Sequence, residues 1–297
     1  MTDFGLDESF RSAVNKIQEH YGFEIPISSL RKETLKNAQR ISELSCSNES
    51  ANLLSASGAE HLIAEADGSM VAMVRFQGKS TDRRKERKID YKEVRLCACK
   101  EKGKERTFYR AKVGNVEQIG ELWSQCAKEA GRGLNSYVHA VCDGAQWIAD
   151  QAQTQLKCNR FLVDFYHVCE YLKAAEPSCA TNPRWYHTQK NRLLCNRSDR
   201  VLLSLVEHKE AEHLPDQDAP VRCAHRYLKN RLANLDYKGS KEQALPIGSG
   251  LIESGHKHVI QARMKIAGAA WHEENADLFI QARAQRASGR WQEFWKN

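Results

Sequence analysis

The sequence has no long apolar run, no CxxC pair and no repeated or low-complexity stretch. Because a membrane-spanning helix needs about 20 consecutive apolar residues, we expect no membrane span. The segment MTDFGLDESF at the N-terminus is acidic and has no apolar core, unlike a signal peptide. The closest two of the ten cysteines are Cys97 and Cys99, on a predicted strand. This spacing is typical of reduced thiols, so we expect a cytoplasmic protein.

Positive charge is abundant and unevenly distributed. The formal net charge is +7, and residues 75–112 alone contain 15 Lys/Arg against 6 Asp/Glu. A concentrated basic block favours a polyanionic partner such as nucleic acid. Within it, the run STDRRKERK predicts DNA contacts at Arg83, Arg84 and Lys85. A solvated hairpin loop explains the same run equally well.

The first 50 residues are expected to form a small helical unit. Apolar residues recur at helical spacing before Gly22 and again after Pro26. The second of these helices carries Arg31, Lys32 and Lys36 among its polar positions. A basic helix after a short turn is typical of a helix-turn-helix unit, which places that helix in a DNA groove. An ordinary helical hairpin that packs on the next domain is the alternative.

Residues 58–297 are expected to form one α/β domain. Strand patterns dominate between 60 and 143, with a bend predicted at Asp67–Gly68, and strands then alternate with helices. That order is typical of a mixed sheet. Residues 173–243 lose strand character, are charged and are interrupted by prolines, which predicts an all-helical insertion.

Three acidic residues form the candidate catalytic and metal-binding site. Asp67 and Asp143 each end an apolar run and precede a glycine, and Glu253 lies in LPIGSGLIESGHKHVIQARMK. Carboxylates are the ligands Mg²⁺ prefers, and paired Mg²⁺ ions activate the attacking oxygen and stabilise the leaving oxygen in phosphodiester chemistry. Each acid also has a structural explanation: a turn for Asp67, a strand end for Asp143, and a helix first turn for Glu253.

Five segments give the chain a family resemblance: DGSMVAMVR, YKEVRL, CDGAQWI, LVDFYHVCEYL and LPIGSGLIESGHKHVIQARMK. With the N-terminal helices they resemble bacterial insertion-sequence transposases with a DDE catalytic core, of the Mutator-like broad class and closest to the ISKra group. The resemblance implies a ribonuclease-H-like fold, a triad of Asp67, Asp143 and Glu253, and Mg²⁺ with Mn²⁺ as a substitute.

The resemblance also implies a supporting DxxH motif at Asp164 and His167. Those side chains follow a predicted strand, where they would orient a phosphate or a flanking nucleotide; a helix-capping aspartate beside a histidine is an equal alternative. Beyond Glu253, we expect Lys257, Arg263 and Lys265 to contact the DNA backbone. A zinc site that includes the two histidines after Glu253 is disfavoured, because residues two apart diverge on a helix.

The expected function is therefore DNA transposition, with cleavage at transposon ends and joining to target DNA. Double-stranded DNA is the expected partner, with association to the nucleoid when bound and a homo-oligomer during synapsis. Two alternatives remain: a DNA-binding protein without catalysis, and a plain metal-dependent nuclease of the same fold. Related transposases usually carry a longer N-terminal region with more DNA-binding modules. We therefore expect the short N-terminal region of this chain to bear on recognition of transposon ends more than on the catalytic core.

Overall fold

The computed structural model describes residues 1–47, 54–77 and 86–296. Its first elements are α1 (Thr2–Asp7), α2 (Phe10–Tyr21), α3 (Ile27–Ser47), β1 (His61–Phe76), β2 (Arg87–Glu101), β3 (Phe108–Val113) and α4 (Val116–Glu129). Next come β4 (Tyr137–Cys142), α5 (Gln146–Thr154), β5 (Arg160–Val163), α6 (Phe165–Cys179), α7 (Trp185–Leu194), α8 (Ser198–Val206), α9 (Pro220–Lys229) and α10 (Tyr237–Glu242). The last are α11 (Gly250–Gly255), a π-helical turn (His256–Gln261), α12 (Ala262–Met264) and α13 (Glu273–Ala287). Short 3₁₀ turns occupy Asp216–Asp218, Leu232–Asn234 and Trp291–Trp295.

The chain divides into two compact units. The first combines Met1–Tyr137 with Gly250–Asn297, and the second is Val138–Ser249. In the first unit β2 pairs antiparallel with both β1 and β3, whereas in the second unit β4 and β5 are parallel. The predicted mixed α/β class is confirmed. The predicted division at residues 50–58 and the ribonuclease-H-like assignment stay predictions, and the helices of 173–243 all belong to the second unit.

The first strand is continuous, so the bend predicted at Asp67–Gly68 is wrong. β2 pairs with β1 along its whole length, from Leu62 opposite Glu101 to the far end. A Cβ at Gly68 would lie 2.0 Å from Oε1 of Glu93, so a larger residue there would displace the Glu93 side chain. An Asp-Gly pair is a strong turn signal, but continuous pairing with β2 overrides it here.

The N-terminal helices α2 and α3 form as predicted. Ser9 caps α2 through its hydroxyl, which accepts the Ser12 N–H at 3.1 Å, and Gly22 ends the helix in the left-handed region. In α3 the residues Leu30, Ala38 and Ile41 are buried, as their spacing predicts. Helix α3 packs against α13 in the core of the first unit. Arg31, Lys32 and Lys36 of this helix are exposed, and contact with DNA stays a prediction.

Each unit has its own apolar core. The core of the first unit includes Leu96 and Phe279, and that of the second includes Leu172 and Tyr237. Among the described helices, none is long and apolar enough to cross a membrane.

In the second unit, α9 is capped from outside. No side chain of its own N-cap residue bonds to it, but Glu210 accepts the N–H groups of Val221 at 3.0 Å and Arg222 at 2.7 Å. Burial opposes the charged form of Glu210, yet these backbone hydrogen bonds hold its pKa below the usual value of 4.5. The carboxylate therefore stabilises the folded unit above pH 4.5, and this contribution is lost as the pH falls through the lowered folded-state pKa.

We expect Glu210→Gln to lower the free energy of unfolding by about 1 kcal/mol at pH 7, the value of a typical helix cap. The difference from wild type should disappear as the pH falls below the pKa of Glu210, as measured by urea unfolding at several pH values. Glu212→Gln is the matched control, since Glu212 is exposed in the same loop. Equal losses in the two variants, or a Glu210→Gln loss that persists at low pH, would contradict the capping role.

Candidate functional site

Asp67 lies in the middle of β1, on the face that packs against α11. Side chains alternate along a strand, so Glu65 and Asp67 share one face. Their cross-strand partners Ala98 and Leu96 share it, and a Cβ on Gly255 of α11 would lie 2.8 Å from the Leu96 side chain. Asp67 Oδ1 accepts the Gly68 N–H at 2.7 Å, and the side chain remains 38% exposed. Asp67 is thus a carboxylate fixed by the sheet and open to solvent.

Glu65 is a positioning residue beside Asp67 that the sequence analysis missed. Its side chain is 1% exposed, and its Oε2 accepts the Ile252 N–H of α11 at 2.8 Å. The first N–H groups of a helix have no partner within the helix, and a carboxylate there is further stabilised by the helix dipole. An acid inside the apolar run Leu62–Ala66 is the sequence signal that could have identified it. Glu65 fixes the first turn of α11 to β1.

A second contact fixes the end of α11. His256 Nε2 lies 3.1 Å from Asp67 Oδ2, and the His256 side chain is buried. Neither ring nitrogen of His256 makes an aligned hydrogen bond to the described residues, so the approach to Asp67 is an ion-pair distance only. The helix changes to π-helical geometry at His256. Such turns are frequent at functional sites.

Glu253 lies between these two anchors. It follows Ile252, whose N–H bonds to Glu65, and precedes His256 by three positions, which places it one turn away on the same side of the helix. Its side chain is exposed. The predicted Asp67 and Glu253 thus belong to two elements of the first unit that are directly tied together. Glu253 lies in the first turn of α11, as the structural alternative proposes. The N–H group of that turn that bonds to a carboxylate, Ile252 N–H, is bound by Glu65 and not by Glu253.

Asp143 lies in the second unit, directly after β4. Its Oδ1 accepts the Ala145 N–H at 2.8 Å, and its backbone carbonyl accepts the Tyr227 hydroxyl. Gly144 has φ +80°, and its carbonyl accepts the Arg231 Nε–H at 2.8 Å. Burial, together with the nearby Asp143 and Tyr171, raises the pKa of Tyr227 despite Arg231, so Tyr227 keeps its proton as a donor. The turn at Asp143 is therefore fixed by hydrogen bonds from Tyr227 and Arg231, which belong to the same unit.

Asp164 follows β5 as Asp143 follows the parallel β4, and the Asp164 N–H bonds to the Cys142 carbonyl at 2.7 Å. Asp164 is 3% exposed and caps α6: its Oδ1 accepts the N–H groups of Tyr166 at 2.6 Å and His167 at 3.0 Å. Its Oδ2 accepts the Ser249 N–H at 2.6 Å and the Ser249 hydroxyl. The His167 ring instead lies near Glu170, with Nδ1 3.4 Å from its carboxylate. The structure thus shows the helix-capping arrangement for Asp164, and a role in orienting DNA stays a prediction.

The predicted DNA-contact residues fall into three groups. Lys257 and Lys265 are exposed, as a backbone contact requires. Arg263 is 4% exposed, which differs from the expected surface position, because its guanidinium lies over the rings of the first-unit core. The predicted contacts at Arg83, Arg84 and Lys85 lie outside the described residues.

The donor chemistry of the first unit suits a hard cation. Asp67 and Glu253 offer carboxylate oxygens accessible to solvent, which are the donors that a hard cation takes, whereas the buried imidazole nitrogens of His256 are not ligands of that kind. Glu65 is already engaged by a backbone N–H and is closed to solvent. Across the described parts of the chain, no three His, Cys, Asp or Glu side chains converge as a complete metal-binding cluster. The predicted triad stays a prediction.

Comparison with solved structures gives two low-scoring likenesses. The Drosophila P element transposase strand transfer complex matches with a TM-score of 0.29 and 10% identity, over 100% of this chain and 80% of that chain. The crystal structure of NurA bound to dAMP and manganese matches with a TM-score of 0.13 and 11% identity, over 91% of this chain and 64% of that chain. Scores this low do not establish a shared fold. No curated protein matches this sequence.

Comparison with family models gives a match from residue 5 to residue 294. The match includes the segments around Asp67, Asp143 and Glu253 and extends over both compact units. The chain belongs to the uncharacterised protein family UPF0236.

Proposed function

We propose that this protein is a DNA transposase of the DDE type, which cleaves DNA at transposon ends and joins the freed 3′-hydroxyl to target DNA. Asp67, Asp143 and Glu253 are its catalytic acids, and its relatives are insertion-sequence transposases of the ISKra group. The observation that carries the proposal is the double anchoring of α11 to β1, through Glu65 and through the Asp67–His256 contact. It holds Glu253 at a fixed place beside the strand that carries Asp67.

The function of the acids follows from their chemistry. Mg²⁺, where bound, would supply positive charge for phosphodiester chemistry. Asp67 and Glu253 would hold such a cation through their carboxylate oxygens, and Asp67 is restrained by the Gly68 N–H and by His256. Asp143 contributes the third carboxylate from a turn held by Tyr227 and Arg231. A pure DNA-binding protein gains nothing from such acids, since carboxylates repel phosphate.

The remaining residues of the proposed site bind DNA. Exposed Arg31, Lys32 and Lys36 on α3 neutralise phosphates, as do Lys257 and Lys265. Double-stranded DNA is the substrate, and bringing two transposon ends together requires at least two copies of the chain. Binding through phosphates predicts an affinity that falls steeply as salt is raised.

The decisive experiment is Glu253→Gln, an isosteric change at an exposed side chain. We expect folding and DNA binding to be retained, while Mg²⁺-dependent cleavage and joining fall about a thousandfold or more, because several kcal/mol of transition-state stabilisation are removed. The assay measures nicked and joined products on DNA that flanks the coding region, with Mg²⁺ or Mn²⁺. Glu274→Gln is the matched control, because Glu274 is exposed on another helix of the same unit.

The products distinguish the candidate functions. Undiminished joining by Glu253→Gln would refute the assignment of this residue. Nicks without joined products, lost in Glu253→Gln, would identify a plain nuclease. A gel shift by wild type, with neither product in Mg²⁺ or Mn²⁺, would identify a DNA-binding protein without catalysis.

A further inference from the structure

A second site lies in the first unit, away from the acidic residues. A cavity of about 640 Å³ opens between α3, the far end of the β1–β2 hairpin and the segment that contains Trp271. This volume lies in the range typical of pockets for small ligands, roughly 300–1,000 Å³. Among the described residues that line it there are three arginines and no acid: Arg31, Arg87 and Arg263. The cavity is therefore both apolar and positively charged.

The floor of the cavity contains a buried guanidinium with unused donors. Arg263 lies over the rings of Trp271, at 4.6 Å, and Phe10, at 5.2 Å. Its only hydrogen bond to the described residues is a long one, from Nε to the Gly5 carbonyl at 3.4 Å. Burial, followed by the charge of Arg283, lowers the pKa of Arg263 to about 10, which leaves it charged at neutral pH.

Arg283 is about as buried as Arg263, but its guanidinium donors have hydrogen-bond partners. It is 7% exposed, against 4% for Arg263. Its Nε donates to the Val259 carbonyl at 2.7 Å and its Nη1 to the Leu6 carbonyl at 2.6 Å. It also forms an ion pair with Asp7 at 2.9 Å. A buried charged group is usually paired in this way, so the free donors of Arg263 toward a cavity indicate a ligand with acceptors.

The rim of the cavity combines one exposed aromatic ring with two arginines. Phe76 is 39% exposed and lies directly opposite Arg87 in the β1–β2 register. Its ring centroid is 5.5 Å from that of His272, which also lines the cavity. Arg31 reaches the rim from α3. Exposed rings interleaved with arginines are the surface that binds unpaired bases and their phosphates.

We propose that this cavity binds one unpaired nucleotide of a DNA strand. The base stacks on Phe76 and presents its acceptor edge to Arg263, while the rim arginines bind the adjoining phosphates. A paired base cannot enter, because its faces are covered by stacked neighbours and its edge by its partner; an unpaired or flipped base can. This inference rests on the proposed function in taking DNA as the ligand, and it specifies that a strand must be locally unpaired.

The test compares two strands that differ only in their bases. The probes are fluorescein-labelled ten-nucleotide oligothymidylate and an abasic strand of the same length, both with wild-type protein in EDTA, and anisotropy gives the affinities. Stacking of one base contributes about 1–3 kcal/mol, or roughly 5- to 150-fold in affinity. We expect wild type to prefer oligothymidylate at least fivefold. We expect Phe76→Ser to reduce this preference to less than about twofold.

Variants of exposed residues at the rim test the inference without disturbing the core, and each is compared with a variant of an exposed residue outside the cavity. Tyr91→Ser should keep the preference, because Tyr91 is 63% exposed on β2 and does not line the cavity. Arg31→Gln should weaken binding of oligothymidylate several-fold more than Arg11→Gln, because Arg11 is exposed on α2 and does not line the cavity. Arg263→Lys keeps the charge but loses the fork of donors, and should reduce the preference between the probes.

Three results overturn the inference: equal affinity of wild type for the two strands, equal preference in Phe76→Ser and Tyr91→Ser, or equal loss in Arg31→Gln and Arg11→Gln. Because these measurements contain no metal, they do not depend on the acidic residues. If one of these three results is found while joining still depends on Glu253, the nucleotide site is refuted and the proposed function is not. A base preference that depends on Phe76, in a protein that neither cleaves nor joins DNA, refutes the proposed function and supports the nucleotide site.

Discussion

Asp67→Cys should abolish Mg²⁺-dependent cleavage and joining, by about a thousandfold or more, and should recover a measurable part of the activity with Mn²⁺. The physical reason is the preference of metals for ligands. Mg²⁺ takes hard oxygen ligands and binds thiolate poorly, whereas Mn²⁺ tolerates softer donors. The variant keeps a small side chain at a position that is 38% exposed, so we expect the fold of β1 to survive. The measurement is the initial cleavage rate with each metal.

A switch in metal preference identifies a ligand, whereas simple loss of activity does not. Asp90→Cys is the matched control, because Asp90 is exposed on β2, where it pairs with Met73 of β1. The control should keep wild-type rates and the wild-type ratio of Mg²⁺ to Mn²⁺ activity. Full Mg²⁺ activity in Asp67→Cys would remove Asp67 from the site. An equal loss with both metals would make Asp67 a structural partner of His256 instead of a ligand.

The sequence predicted best those elements in which one local pattern gives both the secondary structure and the buried side. The period of Leu30, Ala38 and Ile41 predicts the helix α3 and its buried side together, since both follow from one spacing. Asp67 and Asp143 were recognisable because each acid ends an apolar run. The structure places Asp67 on a strand and Asp143 directly after one.

The features that the sequence did not predict depend on contacts between residues far apart in the chain. Glu65 reads as an unexplained acid in a strand until Ile252, 187 positions later, supplies its N–H partner. The Asp67–Gly68 pair predicts a turn, and only the neighbouring β2 shows why the strand continues. Arg263 lies in a basic segment with exposed lysines, but its stacking on Trp271 and Phe10 turns it inward. No single-sequence pattern specifies these contacts.

Asp164→Ala should strongly destabilise the second unit, with a loss of about 3–4 kcal/mol in the free energy of unfolding. A lost helix cap accounts for up to about 2 kcal/mol. The remainder comes from the Ser249 N–H and hydroxyl, which lose the Oδ2 acceptor in a buried place. Because a unit of about 100 residues changes its melting temperature by about 4–8 °C per kcal/mol, we expect a decrease of more than about 10 °C. Circular dichroism measures it, and hydrogen exchange in β5 and α6 localises it.

The size of the loss, and its dependence on the substituted atom, separates capping from an interaction with DNA. Asp164→Asn keeps one carbonyl oxygen, which can accept the N–H groups at the start of α6, but turns an amide donor toward Ser249; its loss should be intermediate. Asp199→Ala is the control, since Asp199 is exposed in the first turn of α8, and should lose no more than about 0.5 kcal/mol. If Asp164→Asn unfolds like wild type yet fails to cleave DNA, the carboxylate acts on the substrate as the family resemblance implies. If stability falls in the order Asp, Asn, Ala, with activity lost only as far as the protein unfolds, Asp164 supports the site by holding β5, α6 and Ser249 together.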